Sequence, residues 1–175
     1  MPRAHQPVTV EQVITAPRLR IFELLATPSR HREIDGSAML QPGVVYGPPR
    51  LHSGAVFTVP MRQSVIRYRS SNEVVEFTEG QALAWQTFGV VAGRKVIGGQ
   101  IWRWELSDAG EHAGGAGEHA GGAGGQAGGA TVVRHTYDWQ QSGRPGLLRL
   151  GRYPERMGAS MQESLHRLDH AVTRR

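Results

Sequence analysis

The chain has 175 residues, of which 39% are hydrophobic and 20% are charged. This balance fits a single globular domain and excludes a wholly disordered chain. The absence of cysteine excludes a disulfide scaffold, thiolate metal ligands and a cysteine nucleophile. The formal net charge is +5, from 20 basic and 15 acidic residues. We therefore expect one domain over residues 1–175.

Glycine is concentrated in one segment of the chain. Residues 109–130 hold 10 of the 23 glycines, and residues 111–124 are two copies of the sequence EHAGGAG. Gly and Ala side chains bury too little apolar area to offset the entropy that is lost on ordering. We therefore predict a flexible Gly/Ala-rich insert over residues 109–130, in the last hairpin loop.

The N-terminal part of the chain predicts one strand followed by two short helices. A rough alternation of apolar and polar residues indicates a strand over residues 8–15. A proline and an apolar stripe at helical spacing then predict a helix over residues 17–25. A second start signal, with Thr27 as N-cap, predicts another helix over residues 28–33.

The middle of the chain predicts a run of antiparallel strands. Residues 37–54 are rich in Gly and Pro and predict loops with one short extended piece. Short β-branched or aromatic segments follow, separated by turn signals such as Ser71-Asn72. The segments cover residues 55–61, 64–70, 73–78, 83–88, 100–107 and 131–140. Consecutive strands without intervening helices favour an antiparallel sheet.

The C-terminal segment carries an apolar stripe that recurs every three or four residues. Residues 145–175 therefore predict one amphipathic helix of about six turns, with any kink at Pro154. Residues 144–175 have seven Arg and three acidic residues, a net charge of +4. Such a face could bind an anionic surface, although a solvated helix face explains the same charges.

Four segments carry a resemblance to a known superfamily. They are residues 13–37 (VITAPRLRIFELLATPSRHREIDGS), 74–87 (VVEFTEGQALAWQT), 101–106 (IWRWEL) and 131–139 (TVVRHTYDW). Together with the order of elements, they resemble the START-like or Bet v 1-like superfamily, also called SRPBCC. Within it, the chain is most similar to the polyketide cyclase/dehydrase-like branch. The resemblance spans residues 8–173 apart from the insert.

The resemblance implies an α+β helix-grip fold. In this fold a curved antiparallel sheet wraps around a long C-terminal helix, and two short helices follow the first strand. The resemblance also implies a cavity between sheet and helix for a lipid, polyketide or aromatic compound. Because the superfamily has no universal catalytic set, it does not select an enzyme activity.

Strand alternation predicts which side chains face such a cavity. It places Val75 and Phe77 on the inner face and Glu76 in water. The predicted ligand-binding set comprises aromatic and polar residues of the strands and three residues of the last helix. These residues are Tyr68, Trp85, Trp102, Trp104, His135, Tyr137, Trp139, Tyr153, Met157 and Met161. The same side chains could instead pack a filled core.

His135 is the most informative polar residue, because it lies between apolar neighbours where related sequences often carry an acidic residue. It could anchor a ligand or act as a general acid/base, or it could be a satisfied core histidine. Tyr68 could likewise donate its hydroxyl into a cavity or pack as core.

We predict that the protein binds a hydrophobic or amphipathic small molecule. The alternative is a polyketide cyclase- or dehydratase-like enzyme in which His135, helped by Tyr68 or Tyr137, moves a proton. A third possibility is a surface-binding module that uses the Arg-rich helix.

Other partners and cofactors are not predicted. His166 and His170 have the spacing of two metal ligands, but Arg167 stands where a zinc-protease motif has Glu, and a third ligand is not evident. The basic charge is not accompanied by a nucleic-acid motif. Without a long apolar run we expect no stable membrane insertion and no secretory signal, and hence a cytoplasmic protein. The oligomeric state stays open.

Overall fold

The computed structural model describes residues 6–91, 93–110, 129–150 and 152–174. Within these residues, six antiparallel strands form one sheet in the order β1-β6-β5-β4-β3-β2. The strands are β1 (Val8–Ile14), β2 (Val56–Gln63), β3 (Ile66–Thr78), β4 (Ala82–Val91), β5 (Arg94–Asp108) and β6 (Thr131–Asp138). The helices are α1 (Arg18–Leu25), α2 (His31–Ile34), α3 (Pro145–Leu150) and α4 (Tyr153–Thr173).

This arrangement is the α+β helix-grip fold predicted from the sequence. The curved sheet wraps around α4, and α1 and α2 follow the first strand. None of the helices in the described ranges is long and apolar enough to cross a membrane.

Helix α4 forms because its apolar residues recur at helical spacing and bury one face. The buried apolar residues of α4 are Met157, Met161, Leu165, Leu168 and Val172. The helix packs chiefly against β1, β6 and α2. Helix α4 therefore covers little of the inner face of the remaining strands.

The C-terminal segment is two helices rather than one. Helix α3 ends at Leu150, and Arg152 has a left-handed backbone with φ of 52° before α4 begins. Proline disfavours the helical conformation in the residue before it and lacks an N–H. In the first turn of a helix this N–H has no partner to lose. Pro154 therefore lies at the start of α4 and does not kink a continuous helix.

The predicted break at Ser71-Asn72 is also absent, since both residues lie within the single strand β3. The Asn72 side chain is buried, and its Nδ2 donates to the carbonyl oxygens of Phe57 (3.4 Å) and Ser70 (3.3 Å). A turn-forming residue is thus accommodated in a strand because its amide finds partners there.

Strand β3 contains an irregularity that the alternation did not anticipate. Its register with β4 shifts between Val74 and Glu76. The extra residue, Val75, is 50% exposed, whereas Val74 is buried and Phe77 packs against the core. The predicted inward position of Val75 is wrong because a bulge reverses the alternation at that point.

Two further predictions concern chain segments between elements. The Thr27 hydroxyl donates to the Glu23 carbonyl at 2.8 Å and does not cap the following helical turn. Most of the predicted insert, residues 111–128, lies outside the described residues. Its ends are paired, since the Ala109 N–H donates to the Ala130 carbonyl at 3.0 Å.

Gly36 allows the chain after α2 to approach α4 closely. Its N–H donates to Ser164 Oγ at 2.9 Å. A Cβ at this position would overlap the Ser160 carbonyl oxygen and lie 2.6 Å from the Ser164 nitrogen. Because these are backbone atoms of a helix, they have little room to move.

We expect Gly36→Ala to lower the free energy of unfolding by about 1–3 kcal/mol, because the added methyl overpacks this contact. Urea unfolding measures the change. Gly146→Ala is the control, since a Cβ there meets no atom within 4 Å and alanine favours a helix. An unchanged midpoint for Gly36→Ala would contradict the close approach of this loop to α4.

Candidate functional site

A cavity of about 480 Å³ lies between the inner face of the sheet and the N-terminal half of α4. Residues of α2 and of the loop after it close one side, including His31 and Leu40. The lining is predominantly apolar and aromatic. The volume falls within the range of small-molecule sites, which is roughly 300–1,000 Å³.

The structure brings eight of the ten sequence-predicted residues to the cavity surface. They are Tyr68, Trp85, Trp102, Trp104, His135, Tyr153, Met157 and Met161. They come from β3, β4, β5, β6 and α4, so the sheet and the helix both contribute.

Tyr137 and Trp139 lie outside this lining. Tyr137 is fully buried and stacks on Trp102, with ring centroids 4.3 Å apart. Trp139 lies in a 3-10 turn after β6, and its Nε1 donates to the Gln6 carbonyl at 3.1 Å. Alternation predicts the face of a sheet on which a side chain lies. It does not predict whether another ring covers that side chain.

His135 lines the cavity beside Trp104, which is its partner across β5 and β6. The two rings are stacked, with centroids 3.6 Å apart and an angle of 10° between the planes. Within the described residues, neither imidazole nitrogen nor the Trp104 Nε1 has a hydrogen-bond partner. Burial lowers the His135 pKa to about 3, so the imidazole is neutral near pH 7.

His31 is a cavity residue that the sequence interpretation missed. Its Nε2 lies 2.7 Å from the Leu25 carbonyl oxygen. Because a carbonyl only accepts, Nε2 is the donor and Nδ1 of the neutral ring is an acceptor. The ring stacks on Trp85 at 5.2 Å, and burial lowers its pKa to about 4 despite the Leu25 hydrogen bond. The available signal was its position one turn before the apolar Ile34.

A second missed feature is a hydroxyl and amide cluster on β3 and β4. Asn72 Oδ1 accepts hydrogen bonds from Ser70 Oγ at 3.1 Å and from Thr87 Oγ1 at 2.8 Å. All three residues line the cavity. Tyr68, Ser70 and Asn72 alternate along one face of β3, and the sequence would have shown this if Ser71-Asn72 had not been interpreted as a turn.

Two tyrosines place their rings at the cavity, and both remain protonated near pH 7. Burial raises the pKa of Tyr68 to about 12. Burial also raises the pKa of Tyr153, against a smaller opposing effect of Arg156. Each hydroxyl can therefore donate a hydrogen bond as well as accept one.

The cavity lining that the structure describes holds one acidic side chain and no Arg or Lys, although the chain has 20 basic residues. The carboxylate in the lining, that of Asp35, accepts from the Ser37 N–H (2.9 Å), the Ser37 hydroxyl (2.6 Å) and the Leu40 N–H (2.8 Å). The interior therefore favours an uncharged occupant.

The cavity mouth, defined by Gln63, Ile66 and Ile97, is both apolar and basic. Ile66 is 64% exposed and Ile97 is 59% exposed. The segments that lead to it, residues 61–72, 86–102 and 139–154, hold eight Arg or Lys residues and no Asp or Glu.

The positions of the ion pairs show which basic side chains lack an acidic partner, a distinction that composition alone does not make. Arg62 and Arg67 face each other across β2 and β3, and no acidic partner is found for either within the described ranges. By contrast, Arg152 just before α4 and Arg167 in α4 each pair with a Glu at 2.7 Å. Unpaired basic residues therefore lie near the mouth, and part of the charge on the last helix is neutralised.

Comparison with known proteins gives a limited sequence match, and no family model matches the chain. Among curated proteins, the uncharacterised protein Rv0088 of Mycobacterium tuberculosis is 29% identical over 93 residues. The match covers 53% of this chain and 37% of that protein, so it spans little more than a third of the relative's length.

Solved structures share the fold over nearly the whole chain. Protein Ms6760 from Mycobacterium smegmatis aligns with a TM-score of 0.62 and 13% identity, over 97% of this chain and 94% of that one. DynU16, from the dynemicin biosynthetic locus, aligns with a TM-score of 0.54 and 18% identity, over 94% of this chain and 46% of its own. At these identities the likeness establishes a common small α+β fold.

We expect the two buried histidines to make the protein less stable in mild acid, at pH values above those at which carboxylates titrate. Their folded-state pKa values lie below the unfolded value near 6.5, so the unfolded chain binds protons first as the pH falls. The histidine contribution to the free energy of unfolding is fully present above pH 6.5 and decreases as the pH falls toward 4. The loss between pH 6.5 and pH 5 is about 2 kcal/mol for each histidine.

Urea unfolding at pH 7 and pH 5 measures this loss. His135→Phe should remove about half of it, since an apolar ring of similar size has no proton to bind. The control is His52→Phe, at an exposed residue outside the cavity, which should leave the pH dependence unchanged. An unaltered dependence in His135→Phe would contradict the burial of a neutral imidazole.

Proposed function

We propose that the protein binds a hydrophobic or amphipathic small molecule, such as a lipid, polyketide or aromatic compound, between the sheet and α4. The observation that carries the proposal is the cavity of about 480 Å³, whose lining combines apolar side chains with a few polar groups. Cavities of this kind bury most of a small ligand's surface. We further propose that the chain belongs to the START-like superfamily and its polyketide cyclase-like branch.

The walls of the cavity suit a flat apolar molecule. One group of lining rings comprises His31, Phe57 and Trp85, with ring centroids 5.2–5.6 Å apart. In a second group Trp104 and His135 stack, and Trp102 lies against His135 at 5.6 Å. The two groups adjoin on the sheet, where Trp85 pairs with Trp102 across β4 and β5. Aromatic rings provide large contact areas at a small cost in side-chain entropy.

The structural neighbours support a ligand-related role at a general level. DynU16 is described as a protein of a biosynthetic locus, and it shares the helix-grip fold with this chain. Because one fold hosts many functions, this likeness adds weight to the proposal only in combination with the cavity.

The alternative, a cyclase- or dehydratase-like enzyme with His135 as acid/base, has less support. A general acid or base works best with a pKa near the operating pH, whereas burial holds the His135 pKa at about 3. No carboxylate in the described part of the chain pairs with its ring nitrogens. The geometry thus favours His135 as a binding group over His135 as a proton carrier.

The neutral fluorescent probe N-phenyl-1-naphthylamine tests the proposal. We expect saturable binding with a blue-shifted emission, together with a higher melting temperature, because ligands that bind the folded state stabilise it. Met61 lines the cavity, and Met61→Trp replaces its linear side chain with a larger indole ring. It should weaken binding about tenfold or more, equivalent to about 1.4 kcal/mol.

The matched control is Val56→Trp on the same strand. Val56 is 50% exposed and lies outside the cavity lining, so this variant should bind the probe as the unmodified protein does. Equal binding by both variants would place the probe elsewhere. An absence of saturable binding to the unmodified protein would contradict the proposed function.

A further inference from the structure

We propose that the buried end of the ligand is an uncharged group with a hydroxyl or carbonyl oxygen, which hydrogen-bonds to Trp104 and His135. This inference rests on the proposed function, because it specifies the ligand of the same cavity. Its starting point is a local mismatch between polar atoms and hydrogen-bond partners.

Three buried nitrogen atoms belong to side chains of the cavity wall and lack a hydrogen-bond partner within the described residues. They are Trp104 Nε1 and both ring nitrogens of His135. The two side chains are only 3% and 4% exposed, yet both belong to the cavity lining. Buried polar groups in native proteins are nearly always hydrogen-bonded, and a ligand in the cavity that both side chains line would supply the missing partner.

Two other buried polar side chains of the cavity, Asn72 and His31, already have partners within the protein. Asn72 uses both atoms of its amide within the protein, as acceptor from Ser70 and Thr87 and as donor to Phe57 and Ser70. His31 already shares its Nε2 with the Leu25 carbonyl. Among the fully buried side-chain atoms of the described lining, those without a partner thus belong to Trp104 and His135.

The chemistry of these nitrogens selects the partner. An indole N–H only donates, and a neutral imidazole offers one donor and one acceptor. A carbonyl oxygen can accept from both donors. A hydroxyl can accept a hydrogen bond from one donor and donate one to the acceptor nitrogen. A pure hydrocarbon would leave all three nitrogens without a partner, and such a site discriminates against it.

Charge narrows the class further. A buried carboxylate or phosphate would lose its hydration and meet no Arg or Lys, since neither type lines the described cavity. A buried ammonium would find only Asp35, whose carboxylate already accepts hydrogen bonds from Ser37 and Leu40. A neutral phenol, alcohol or ketone carries no such penalty.

Three probes with one ring system test the inference: naphthalene, 2-naphthol and 2-naphthoate, each titrated at pH 7 into the unmodified full chain. We expect 2-naphthol to bind about tenfold more tightly than naphthalene, because it alone offers a neutral oxygen. We expect 2-naphthoate to bind at least about tenfold more weakly than 2-naphthol.

His135→Phe identifies the group responsible. In this variant the advantage of 2-naphthol over naphthalene should shrink to within about threefold, since one partner remains at Trp104. The readout is the ratio of the two affinities within each protein, so a change in apolar contact that affects both probes equally cancels. His52→Phe, at an exposed residue outside the cavity, is the control and should keep the full advantage.

A second measurement uses the unmodified protein and does not depend on the folding of a variant. In protein with ¹⁵N-labelled histidine, 2-naphthol should shift the imidazole signals of one of the eight histidines much further than naphthalene does. Equal shifts would overturn the inference.

The outcomes separate the two proposals. Equal affinities for naphthalene and 2-naphthol, or tightest binding of 2-naphthoate, would overturn the inference while leaving a binding cavity in place. A retained advantage in His135→Phe would also overturn it. Failure of all three probes to bind saturably would contradict the proposed function and the inference with it.

Discussion

The two halves of α4 pack differently against the sheet, and this asymmetry determines where the interior is filled and where it holds a cavity. The C-terminal half of the helix buries Leu165, Leu168 and Val172 in the main core. The N-terminal half presents Met157 and Met161 to the cavity. Because α4 packs chiefly against β1, β6 and α2, the curved strands β2 to β5 enclose space that the helix does not fill. Gly36 allows the chain after α2 to contact α4 closely, which closes this space on the α2 side.

Charge is sorted by location in a way that agrees with this geometry. On the outer face, Arg103 pairs with Glu76 at 2.6 Å and Arg134 pairs with Glu11 at 2.9 Å. Within the described residues the cavity lining holds no Arg or Lys, and burial lowers the pKa values of its two histidines. The cavity thus combines apolar walls with a few fixed polar groups, an arrangement typical of small-molecule sites.

Much of this fold follows from local patterns. Alternation correctly placed Trp104, His135 and Tyr137 on an inner face, because β5 and β6 pair regularly. It failed at Val75, since a bulge depends on the partner strand and not on the local pattern. Residues can share a face without sharing a cavity, and Trp102 covers Tyr137 for a reason that only the packed structure reveals.

The helix break and the missed histidine have similar explanations. Pro154 is compatible with a kink or with a new helix start, and the left-handed backbone of Arg152 decides between them. His31 comes from a four-residue helix, which is too short for a periodic signal. The cavity itself depends on how far α4 lies from β3 and β4, a tertiary distance that has no counterpart in a local sequence pattern.

A crystal structure of the protein grown with N-phenyl-1-naphthylamine tests the central claim most directly, because it shows where an apolar molecule lies. The account predicts the probe between the sheet and α4, in contact with Trp85 and Met157, with α4 in the position described above. A space filled by collapsed side chains, or a probe bound only on the outer surface, would contradict it.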